Sequence, residues 1–101
     1  MEHFEEHVQR ALDALPADLA RRLENVAVVV EDEHSTDPDL LGLFEEPPYM
    51  PAKVTIYRRP LEEDFGEDPE TLEREIRITV LHELAHYFGI DEGRLHDLGY
   101  G

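Results

Sequence analysis

His82-Glu83-Leu84-Ala85-His86-Tyr87-Phe88-Gly89 is the stretch on which the reading of this chain turns. Residues i and i+4 of an α-helix lie one above the other on the same face. His82 and His86 can therefore direct two imidazoles at one ion. Glu83 flanks the place where a water on that ion would sit. The pattern is that of a zinc-binding helix, and it asks for a third protein ligand supplied from outside these eight residues.

The helix that carries the pattern is legible at both ends. Asp68-Pro69 is a start signal, a side-chain acceptor followed by proline at the first helical position. Gly89 is a stop signal, because glycine enters the left-handed conformation without a Cβ penalty. These signals predict a helix from Pro69 to about Phe88. Stepping at roughly 100° per residue, Ile78, Val80, Leu81, Leu84, Ala85, Tyr87 and Phe88 cover most of its circumference. The polar gap holds Thr79, His82 and His86, with Glu75 two turns earlier. A helix apolar nearly all round is packed on several sides, so the histidines face the one opening in the wall.

Working outward, Phe4, Val8, Ala11, Leu12 and Leu15 have the spacing of an amphipathic helix over residues 2–15. Pro16 ends it, and a short helical stretch follows from Ala17 to Leu23. Val26-Ala27-Val28-Val29-Val30 is a β-branched run expected as a buried strand. The acidic segment from Glu31 to Asp39 is expected as loop. Leu40-Leu41-Gly42-Leu43-Phe44 is expected as a second strand, though Gly42 is unusual inside one. Pro47, Pro48 and Pro51 stiffen the next connection. Val54-Thr55-Ile56-Tyr57 is expected as a third strand, with Val54 and Ile56 on one face. Arg58, Arg59 and Pro60 are read as its end, and Leu61 to Glu67 as an acidic connection. The expected fold is α/β (α+β), a small mixed sheet of about three strands packed on an N-terminal helix and the long motif-bearing helix. Two further histidine sites receive bland readings: His3 and His7 as a solvated helix flank, His34 as a surface residue.

Length and composition set bounds. At 101 residues the chain is expected to be one domain, 1–101, with a thin core. It has no cysteine, so any metal must be held by His, Asp or Glu. The 25 acidic against 9 basic residues, a net charge of −16, oppose binding to phosphate backbones and anionic lipid. No apolar run approaches the roughly 18 residues of a membrane span. The N-terminus Met1-Glu2-His3-Phe4-Glu5-Glu6 is acidic where a signal peptide would be basic and then apolar. The expectation is a cytoplasmic protein without nucleic-acid or membrane partners, a monomer or weak homodimer.

Three residues beyond Gly89 are candidates for the third ligand: Asp91, Glu92 and His96. Asp91 also reads as the N-cap of a last helical turn from Glu92 to Leu98, and His96 as a residue on that turn. At this point the chain resembles a family. His82-Glu83-x-x-His86-x-x-Gly89-x-x-Glu92 follows the elongated motif of zincin metallopeptidases. The segments Asn25 to Asp32, Leu41-Gly42-Leu43, Ile56-Tyr57-Arg58 and Thr79 to Glu92 resemble the small bacterial minimal zincins. The resemblance implies a zincin-like fold, bound Zn2+ and metallopeptidase activity on a peptide or protein substrate. It implies His82 and His86 as zinc ligands and Glu83 as general base. It places Glu92 where the third ligand stands, with Asp91 as the alternative. Two departures stand out. Elongated zincins carry His or Asp where this chain has Glu92, and many place a methionine turn beneath the metal, whereas Met1 and Met50 both lie upstream. Tyr100 is a candidate catalytic residue that could donate a hydrogen bond to an oxyanion. Two other classes compete: a non-catalytic zincin-like binding domain, and a metal-dependent endoribonuclease whose family motif has similar histidine spacing. Glu83, Glu92 and the negative charge set this chain apart from the latter.

Overall fold

The computed structural model describes residues 3–89 and 92–97, and among these the side chains of all but His86, Tyr87, Phe88, Glu92 and Leu95. The elements are α1 (Phe4–Asp13), α2 (Ala17–Arg22), β1 (Val26–Glu31), β2 (Gly42–Glu45), β3 (Ala52–Tyr57), α3 (Arg58–Phe65), α4 (Pro69–Phe88) and α5 (Glu92–Asp97). The mixed α+β class read from the sequence is therefore the class observed.

The sheet has the order β1-β3-β2. β1 runs parallel to β3, with Val28 opposite Val54, and β2 runs antiparallel to β3, with Gly42 opposite Ile56. The hairpin between β2 and β3 turns through Pro47-Pro48-Tyr49-Met50, where the Met50 N–H reaches the Pro47 carbonyl at 3.4 Å. Pro48 before Tyr49, whose φ is 65°, is the pattern of a type II turn. Because β3 is central, Val54, Thr55, Ile56 and Tyr57 are all buried.

The segment after β3 departs from expectation. Residues 58–65 form helix α3, not a strand end followed by a connection. Pro60 stands in the first turn, where its missing N–H has no intrahelical partner to lose. α3 then places Leu61 in the core at 0% exposure. The second strand also begins later than the apolar run suggests, at Gly42 and not Leu40.

The main core joins Phe4, Val8 and Ala11 of α1 to Val26, Val54 and Ile56 of the sheet and to Leu72, Ile76, Val80 and Leu84 of α4. A second cluster joins Leu15 and Leu19 to Leu81 on another side of α4. Removing a buried side chain of this size to Cβ costs about 2–5 kcal/mol.

His7 departs from the reading of a solvated flank. Its Nδ1 lies 2.7 Å from Glu73 Oε2, and Arg10 Nε donates to the same oxygen at 2.8 Å. The His7 and Glu73 side chains are only 18% exposed. This cluster staples α1 to α4. The hydrogen bond from His7, and then that from Arg10, hold the Glu73 carboxyl below the ordinary glutamate range. A depressed folded-state pKa gives stability that is present above the unfolded-state value and lost as pH falls through the folded one. Glu73→Gln is therefore expected to cost about 1 kcal/mol at pH 7. Thermal melts from pH 7 down to pH ~3 should show wild type and variant converging below the ordinary glutamate pKa of about 4.3. A gap that stays constant over that range contradicts the assignment.

Candidate metal centre

Helix α4 is built as its terminal residues dictate. Asp68 Oδ1 accepts the Glu70 N–H at 3.4 Å, and Thr71 Oγ1 donates to Asp68 Oδ2 at 2.6 Å. The bond from Thr71, reinforced by the Glu70 amide, holds the Asp68 carboxyl below its usual range. At the other end Gly89 has φ 67° and its N–H reaches the Ala85 carbonyl. Between these caps the helix is continuous, so positions 82 and 86 fall on one face. His82 is exposed and Glu83 half-buried, while Val80, Leu81 and Leu84 are buried.

The edge strand β2 forms the wall beside this face. Glu83 Oε1 accepts the backbone N–H of Phe44 at 2.9 Å. The approach is close because residue 42 lacks a side chain. A Cβ on Gly42 would stand 2.6 Å from Thr79 Cγ2 and 3.3 Å from the Thr55 carbonyl oxygen. Thr79, placed in the polar gap by its position, is buried under this strand at 7% exposure, and its hydroxyl donates to the Glu75 carbonyl at 2.8 Å. A cavity of about 180 Å³ opens here, lined by Leu40, Leu41, Gly42, Thr79, His82 and Glu83.

A family model described as zincin-like metallopeptidase matches residues 23–101. The chain belongs to this family. Among solved structures it is similar to a conserved hypothetical protein from Thermus thermophilus, with 30% identity, a TM-score of 0.60, and 90% of this chain and 95% of that one covered. No curated protein matches the chain.

The zincin-like helix thus brings Glu83 to the edge strand and leaves His82 open to solvent. His86 and Glu92 belong to α4 and α5, but their side chains lie outside the described residues, as do Asp91 and Tyr100 altogether. His96 is exposed on α5. Among the described residues no three His, Asp or Glu side chains come together as a metal-holding group. His34 is not a ligand candidate: its Nδ1 accepts the N–H groups of Thr36 and Asp37 at 3.2 and 3.1 Å, and its ring meets Tyr57 edge-on. Sequence reasoning missed two contributors to the site, the Phe44 amide and the Gly42–Thr79 contact. The glycine inside an otherwise apolar strand was the available signal for the second.

Gly89 ends α4 in the left-handed conformation. A Cβ there would meet nothing within 4 Å, so conformation and not space is what demands glycine. Gly89→Ala is expected to cost about 1 kcal/mol, and Gly89→Asn less, because asparagine tolerates the left-handed region better. Denaturant melts of the two variants check this; equal stability of Gly89→Ala and wild type would contradict it.

Proposed function

We propose that this chain is a zinc-dependent metallopeptidase. The observation that carries the reading is the position of Glu83. Its carboxylate is held at the outer edge of β2, beside an open cavity and one residue from His82. The donor chemistry fits zinc: two imidazole positions one helical turn apart, no thiolates, and a carboxylate turned to the strand by its own hydrogen bond. His82 and His86 would hold the metal, with Glu92 as third ligand and Asp91 as the alternative. Zinc, when bound, supplies a positive charge that acidifies a water and stabilises negative charge on a carbonyl oxygen.

The chain's own residues do the rest. Phe44 engages Glu83 Oε1, which leaves Oε2 as the atom to take a proton from the attacking water and deliver it to the leaving amine. Substrate lies extended along an exposed strand edge, in the manner of strand addition. β3 is central, so residues 53–57 cannot serve as that edge and β2 is the strand beside the site. Tyr100 would assist as a hydrogen-bond donor to the oxyanion. The partner is a peptide or protein, and the net charge of −16 argues against nucleic acid. No described helix is long and apolar enough to cross a membrane, and we place the protein in the cytoplasm as a monomer or weak homodimer.

The test begins with untagged protein and calorimetric zinc titration. Wild type is expected to bind one equivalent and His82→Ala to lose most of that affinity. Glu92→Ala and Asp91→Ala decide the third ligand by which of them weakens zinc more. On a peptide library, Glu83→Gln is expected to fall by about 10²-fold or more in rate. Equal cleavage by wild type and Glu83→Gln would mean a contaminating protease. Equal zinc binding by wild type and His82→Ala would remove the metalloenzyme reading and leave a non-catalytic binding domain.

A further inference from the structure

Antiparallel strands alternate between residue pairs that exchange hydrogen bonds and pairs that do not. The Tyr57 N–H donates to the Leu41 carbonyl at 3.0 Å. In the observed register this makes the pairs at Leu41, Leu43 and Glu45 the bonded ones. Gly42 and Phe44 therefore turn their N–H and C=O groups outward, to the free edge of the sheet. Glu83 takes the outward N–H of Phe44 at 2.9 Å.

We propose that the outer edge of β2 is the positioning element for Glu83: the Phe44 amide fixes the carboxylate, and Gly42 lets the strand come close enough to α4 to do so. The role of Glu83 as base rests on the metallopeptidase reading; the positioning itself does not. A glutamate on a helix surface otherwise samples several rotamers, and only one would aim an oxygen at the reacting water. The hydrogen bond from an uncharged donor to a carboxylate selects that rotamer. Gly42 is the spacer. With a Cβ 2.6 Å from Thr79 Cγ2, either β2 or Thr79 must move, and Thr79 is bonded to its own helix through the Glu75 carbonyl. A consequence for substrate follows. With the Phe44 N–H committed to Glu83, an added strand finds a complete donor–acceptor pair on this edge at Gly42, not at Phe44. Gly42 thereby sets the register of an extended peptide relative to the base.

Amide hydrogen exchange by NMR on the full chain, with and without zinc, tests this. Glu83→Gln keeps an acceptor oxygen and should protect the Phe44 amide as wild type does. Glu83→Ala should speed its exchange by about tenfold or more. The Leu43 and Glu45 amides, which face β3, should hardly change. Gly42→Ala should speed Phe44 exchange similarly, and Gly42→Ala with Thr79→Ser, which removes the clashing methyl, should restore protection. In zinc-loaded protein kcat should fall in Gly42→Ala and recover in the double variant, while the zinc affinity of both stays within about twofold. Equal Phe44 exchange in wild type and Glu83→Ala overturns the proposal. So does Gly42→Ala that retains full kcat, or a double variant that recovers neither property. If no variant and no wild type hydrolyses peptides, the exchange rates still decide the positioning, while the metallopeptidase reading fails separately.

Discussion

Helix α4 has to bury apolar side chains in two directions at once. Ile76, Val80 and Leu84 enter the core shared with α1 and the sheet, while Leu81 enters the cluster made with α2. Two packed sides leave one narrow stripe for polar groups, and His82 and Glu83 stand on or beside it. The site is thus placed by core packing. Its rigidity is that of a fully engaged helix capped at both ends, which suits groups that must hold a geometry.

The second constraint is the closeness of β2 to that stripe. An edge strand exposes unpaired backbone groups, and proteins blunt such edges with short strands and charged residues. β2 has four residues and ends at Glu45, whose carboxylate lies 3.8 Å from Lys53 Nζ. One of its outward donors is occupied by Glu83. The same carboxylate so serves as partial protection of the edge and, in the proposed function, as the general base. The glycine that permits this gives up β-propensity and side-chain packing, a cost accepted where backbone approach matters more.

What could be read in the sequence followed from the range of the interactions involved. The bounds of α4 were legible to the residue because Asp68-Pro69 and Gly89 act locally. β1 was legible because an unbroken β-branched run has few other uses. Helix α3 was not, since Pro60 reads as a terminator unless one knows that it falls in a first turn. The His7–Glu73 bond joins residues 66 apart, and nothing near either one announces it. Gly42 was visible as an anomaly, but its reason is a methyl group on Thr79, a contact that only the tertiary fold creates. The motif His82 to Gly89 announced the family, and the matching family model over residues 23–101 bears that out. The identity of the third ligand is beyond spacing alone, because Asp91 and Glu92 are neighbours just past the same glycine.

Zinc K-edge absorption and anomalous diffraction on crystals of zinc-loaded protein test the central claim most directly. A single zinc bound by His82 and His86 is expected, with Glu92 or Asp91 completing the protein ligands and Glu83 outside the coordination shell, still bonded to the Phe44 amide. Zinc bound elsewhere, zinc ligated by Glu83, or no zinc at stoichiometric loading would contradict it.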